Sequence, residues 1–145
     1  MTIDLHVLAE RVAAVERHLA RVEAKLPATP EALQPATDTS DAVVLHLWQA
    51  VQIVIDLAVS LSVRLHLGAP SSYSDAFQRL AGAGHIDPEL ASRLGRAAGF
   101  RNVVAHAYEG LDMQRVHATA RSGPGDLRAF LARARDLAGR AVPEG

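Results

Sequence analysis

The chain has 145 residues, within the ordinary size of one domain, and 49% are apolar against 21% charged, so a packed core is expected and intrinsic disorder is not. It holds no cysteine, which excludes disulfides, thiolate nucleophiles and Cys-ligated zinc and fits a reducing, cytoplasmic compartment. The net charge of −1 does not mark a nucleic-acid binder, but residues 1–72 carry five Lys or Arg against eight Asp or Glu while residues 73–145 carry ten against eight, so the second half is the better place to seek a phosphate-binding surface, although the Ala- and Arg-rich composition of a GC-rich genome gives the same Arg excess.

Met1-Thr-Ile-Asp-Leu-His6 has an acid where a secretory leader would carry bases, so no leader is expected. The first helix follows: Leu5, Leu8, Val12, Val15, Leu19, Val22 and Leu26 recur in alternating steps of three and four, an apolar seam. Thr2 is its expected N-cap, and Pro27 and Pro30 stop it. Residues 27–40 read as a linker with one turn of helix. A second helix is expected from about Asp41 to Leu67, ending at Gly68. It is apolar nearly all round, so it either lies at the centre of a bundle or crosses a membrane. His46, Gln49, Gln52, Asp56, Ser60 and Ser62 interrupt the run and favour the centre, with no membrane involved.

A third helix begins after Ser72, which forms a capping-box spacing with Asp75, and ends at Gly82-Ala-Gly84. A fourth opens on Asp87-Pro88 and runs to about Tyr108, with Gly110 breaking it. A short helix capped by Asp112 is expected through about Ala120, then a turn at Ser122-Gly-Pro-Gly125, then a last helix capped by Asp126 with Leu127, Phe130, Leu131, Ala134, Leu137 and Ala138 inward. No strand or repeat emerges. The expected fold is all-α, a single domain over residues 1–145 built as an antiparallel bundle of about five helices.

The chain has no Gly-x-Ser-x-Gly elbow and no P-loop. Its seven histidines never form His-x-x-x-His or Glu-x-x-His, so no metal site and no cofactor is expected. His6, His18 and His66 read as surface or boundary residues, and His46 as a satisfied polar group in the core.

One stretch stands out. Arg101-Asn102 and His106-Ala-Tyr108 crowd polar and reactive groups into eight residues, with Val103, Val104 and Ala105 expected to face the core. At ~100° per residue, Asn102 and His106 lie one turn apart and can touch. Arg101 and Tyr108 share a face if the helix reaches that far, and Arg101 and His106, about 140° apart, border one groove. A guanidinium grips a phosphate in a planar fork and an imidazole moves a proton near neutral pH, so the pair can cleave RNA without a metal. A base takes the 2′-hydroxyl proton, that oxygen attacks phosphorus, and the arginine stabilises the added charge. The departing 5′-oxygen also needs an acid, and a twofold dimer placing two His106 residues across one cleft supplies it. By pattern alone, a capping arginine and a histidine bonded to a backbone carbonyl would look the same.

The stretch Phe100-Arg-Asn-Val-Val-Ala-His-Ala-Tyr-Glu-Gly-Leu-Asp-Met113 resembles the Arg-x4-His-x-Tyr signature of HepT-type toxins in the HEPN superfamily. The likeness extends through Pro70-Ser-Ser-Tyr-Ser-Asp-Ala-Phe77 and Ala83-Gly-His-Ile-Asp-Pro-Glu-Leu90, and departs at the Ser-Gly-Pro-Gly break and the Arg-rich last helix. It implies a HEPN-like bundle forming a homodimer or higher homo-oligomer, and a metal-independent ribonuclease toxin. Arg101 and His106 would be catalytic, and Asn102 would orient His106. A small nucleotidyltransferase antitoxin would add AMP to Tyr108, placing charge and bulk where RNA phosphate must bind. Asp56 is a further candidate support. The alternative is a non-catalytic helical module that binds a nucleotidyltransferase or dimerises, its motif kept for packing.

Overall fold

A computed structural model describes residues 4–141, with side chains through Gly139. Five α-helices follow in chain order: α1 Leu5–Lys25, α2 Asp38–Arg64, α3 Tyr73–Gly82, α4 Pro88–Ala107 and α5 Met113–Ala141. Short 3-10 turns lie at Pro30–Ala32 and Tyr108–Gly110. The expected all-α bundle is found, and the single turn of helix in the first linker is there as well.

Each helix begins where a side chain can satisfy its unpaired N–H groups. Asp4 accepts from the amides of His6 and Val7 and so caps α1; Thr2 lies outside the described residues. Thr37 and Ser40 form a reciprocal capping box, so α2 starts at Asp38 rather than at Asp41. On α3 only half of the expected box forms: Ser72 accepts from the Asp75 amide, but the Asp75 carboxylate turns to the Ser71 amide and to Arg79 Nε. Asp87 caps α4 through the Glu89 amide. The α2–α3 connection needs two left-handed residues, His66 at φ 61° and Gly68 at φ 90°. A Cβ on Gly68 would also lie 2.9 Å from Arg79 Nη1, which donates to the Leu67 carbonyl.

α2 is the axle. It has the length and apolarity to cross a membrane, yet it packs against all four other helices, burying Val43, Val44, Leu47, Val51, Val54, Ile55 and Leu61 among them. The α1 seam meets it through Leu8, Val12, Val15, Leu19 and Val22, while Leu5 at the open end is 48% exposed. Phe77 of α3 meets Phe130 of α5 edge to face, ring centroids 5.6 Å apart.

The expected turn at residues 122–125 is absent, and a single 29-residue α5 runs through Pro124. A proline inside a helix costs ~3 kcal/mol through its missing N–H and its clash with the preceding turn. Leu127, Phe130, Leu131 and Leu137 beyond it are all buried, and each contributes ~1.5–3 kcal/mol, so continued packing outweighs the break. Gly123 and Pro124 are buried too, and a Cβ on Gly123 would reach Leu47 at 3.9 Å. Asp126, expected as a cap, instead pairs with Arg93 of α4 at 2.9 Å.

Candidate active site

Arg101 rises from the fourth turn of α4 toward α2 and α3. Its Nε donates to Gln52 Oε1 at 2.6 Å, and Gln52 Nε2 donates in turn to Asp56 Oδ1 at 3.0 Å. The guanidinium carbon lies 5.6 Å from the Trp48 ring and 5.5 Å from the Tyr73 ring, within cation–π range of both. Its Nη1 donates to Asn102 Oδ1 at 3.3 Å. Every group that fixes this guanidinium directly is neutral. Two of its five N–H donors are engaged, and the remaining three are available to an incoming anion. Asp56 thus reaches Arg101 through Gln52, in keeping with its candidate role as support from the central helix.

His106 occupies the last turn of α4 and is exposed. Among the described residues nothing hydrogen-bonds to its ring, so both nitrogens face solvent. Asn102 lies one turn back, as the spacing requires, but its oxygen goes to Arg101 rather than to His106. Of the three residues expected to face the core, Val104 is buried, Val103 half-buried and Ala105 exposed, because the α4 stripe between Arg101 and His106 borders solvent.

Tyr108 lies just past the end of α4, where the chain tightens into the 3-10 turn, so it does not continue the Arg101 face. Its hydroxyl crosses to the first turn of α2 and donates to Asp41 Oδ1 at 2.7 Å. That hydrogen bond, helped by partial burial, raises the phenol's pKa above its usual value, since the carboxylate stabilises the O–H and repels a phenolate. Tyr108 remains 46% exposed. Between Arg101 and Tyr108 runs a largely apolar groove of about 350 Å³ over Val44, Leu45, Trp48, Val104 and Ala105. Trp48 Nε1 beneath it is the one buried side-chain polar atom among the described residues without a hydrogen-bond partner. The α4 residues of this site were legible in the sequence. Gln52, Trp48, Tyr73 and Asp41 were not singled out as site residues, although glutamines interrupting the apolar α2 were a usable sign.

The other histidines lie elsewhere. His18 of α1 and His46 of α2 meet through their Nδ1 atoms at 3.0 Å, so His46 finds its polar partner at the edge of the core. Burial, together with the neighbouring Arg21, lowers both pKa values. His117 is buried, with Nε2 2.8 Å from the Pro27 carbonyl, and ties α5 to the first linker. Among the described residues no three His, Asp or Glu side chains gather as metal ligands would.

Comparison with known proteins agrees with this fold. Residues 15–134 match the model of a family described as ribonuclease HepT-like. A relative from Shewanella oneidensis, an mRNA nuclease HepT, is 27% identical over 107 residues, covering 74% of this chain and 80% of its own. Among solved structures, a tri-AMPylated HEPN toxin of the same organism in complex with an MNT antitoxin superposes with TM-score 0.80 at 25% identity, covering 90% of this chain and 97% of that one. A toxin–antitoxin complex with AMP-PNP superposes with TM-score 0.81 at 24% identity, covering 90% and 98%.

Proposed function

This chain belongs to the ribonuclease HepT-like family, and from that premise we propose that it is a metal-independent endoribonuclease toxin of the cytoplasm whose reaction is carried by Arg101 and His106. The observation that carries the assignment is the setting of Arg101: a guanidinium fixed by Gln52, Trp48 and Tyr73, with three donors left for a phosphate and an open imidazole further along the same helix. The arginine holds the scissile phosphate and stabilises charge on its equatorial oxygens. His106 takes the proton from the ribose 2′-oxygen as that oxygen attacks phosphorus. The His106 of a twofold mate, protonated, returns a proton to the departing 5′-oxygen. The exposed Leu45 and the apolar groove beside Arg101 give that mate a surface to cover, which supports a homodimer.

Tyr108 is the residue a nucleotidyltransferase antitoxin modifies, as the AMPylated Shewanella oneidensis toxin complexed with its MNT antitoxin suggests by likeness. Its hydroxyl is accessible at the rim of the groove, and Asp41, which accepts its hydrogen bond, orients it. An AMP ester there adds negative charge and bulk at the mouth of the site, where substrate phosphate must enter. The test is expression of the chain alone. Growth should arrest, and Arg101→Ala or His106→Ala should relieve the arrest; undiminished toxicity in both would end the assignment. Purified protein should degrade RNA with EDTA present. Tyr108→Phe should keep the ribonuclease activity and escape silencing, and continued silencing would remove Tyr108 as the target.

A further inference from the structure

A second cleft lies on the other side of α4, between it and α5, and nothing above makes use of it. It encloses about 470 Å³. Arg93 and Asp126 close one end with their ion pair, and Arg96 and Arg115 line the remainder with Thr119 and Ser122. Arg96 and Arg115 are exposed, and among the described residues neither has a hydrogen-bond or carboxylate partner. The Thr119 and Ser122 hydroxyls donate to the Arg115 and Ala118 carbonyls of their own helix, which leaves their oxygens as acceptors. Ala97, Gly99 and Ala118 keep the floor low.

The position of the cleft matters. Along α4, Arg96, Gly99, Val103 and His106 fall within an arc of about 80°, and Arg96 lies ~15 Å from His106 along the axis. α5 returns antiparallel to α4, since Asp126 pairs with Arg93 while the two helices join at residues 108–112, so Arg115 marks the end of the cleft toward His106.

We propose that this α4–α5 cleft binds the single-stranded RNA that flanks the cleaved bond. Arg96 and Arg115 contact backbone phosphates, and the Thr119 and Ser122 oxygens accept from ribose 2′-hydroxyls. The inference rests on the ribonuclease reading. Two unmatched guanidinium groups call for anions at a spacing a polyanion supplies, and acceptor oxygens between them suit a strand that carries 2′-hydroxyl donors.

The test measures binding of a single-stranded RNA 20-mer to the full chain carrying His106→Ala, so that the probe survives, across a salt series. Adding Arg96→Ala and Arg115→Ala should weaken binding roughly tenfold at about 0.1 M salt and flatten the slope of log K against log salt by ~1.4, or ~0.7 per lost phosphate contact. Arg96→Lys with Arg115→Lys, which keeps the charges, should restore the slope. In an active background the alanine pair should raise KM for long RNA. Unchanged affinity and slope would overturn the inference while leaving the ribonuclease assignment intact. So would loss of binding to the nucleotidyltransferase with RNA binding unaltered, since the cleft would then be a protein interface. Absence of any RNA cleavage by the unmutated chain would instead strike the ribonuclease reading itself.

Discussion

Two arginines show how differently this molecule uses one side chain. Arg128, where α5 crosses α1, is matched by two carboxylates: Nε donates to Glu16 at 3.1 Å, and Nη1 and Nη2 each donate to Glu23 at 2.8 Å. These carboxylates raise its pKa, and the Arg128 guanidinium in turn pulls that of Glu23 down, so the arginine's charge is offset within the seam. Arg101, between α2 and α4, is held as firmly but by an amide, two aromatic faces and a neighbouring amide oxygen. A structural arginine is neutralised where it stands. One kept for a substrate is positioned without being neutralised, so its field remains for the anion it is to bind.

The largest test of that contrast removes the chemistry. His106→Ala and Arg101→Ala should each lower RNA cleavage by ~10²–10⁴-fold, and melting temperature should stay nearly constant for His106→Ala, whose ring is exposed and unpartnered. A thermal melt that collapsed along with activity would mean the effect is one of folding. Gln52→Leu comes next. It frees Arg101 Nε and loosens the fork, and about tenfold loss of kcat/KM is expected, while Arg128→Ala should leave cleavage untouched. In stability the order reverses. Arg128→Ala should cost about 1 kcal/mol in a denaturant titration, modest because the ion pairs are part-exposed and screened, and the cost should shrink in high salt.

The smallest expected effect is in pH. His18 and His46 have lowered pKa values when folded, so below about pH 6.5 the unfolded chain takes up protons that the folded one resists. Stability is therefore full above that pH and declines as pH falls below it. His18→Gln should flatten the decline in melts between pH 7 and pH 5; an unaltered slope would assign it to other groups.

The sequence showed the helices wherever a periodic apolar face coincided with a cap, as on α3 and α4. It misled at residues 122–125, because Ser-Gly-Pro-Gly is a turn signal by local propensity, whereas the buried faces on both sides of Pro124 are satisfied only if the helix continues. Arg101, His106 and Tyr108 could be picked out because the reactive side chains of α4 sit close together along the chain. Their supports could not, since Gln52 lies 49 residues from Arg101 and Asp41 lies 67 from Tyr108, and only the packing of α2 on α4 joins them. Spacing therefore located the candidate groups but not the side chains that hold them. The expected Asn102–His106 contact fails for a local reason: the adjacent Arg101 is the stronger donor to that amide oxygen.

Tyr108 belongs to no α-helix, and among the described residues its one hydrogen-bonded side-chain partner is a surface carboxylate. Tagging it therefore demands no unwinding and no opening of the interior. On the proposed function, the tagged and bare forms share one skeleton and nearly one melting point, so silencing would leave the toxin folded.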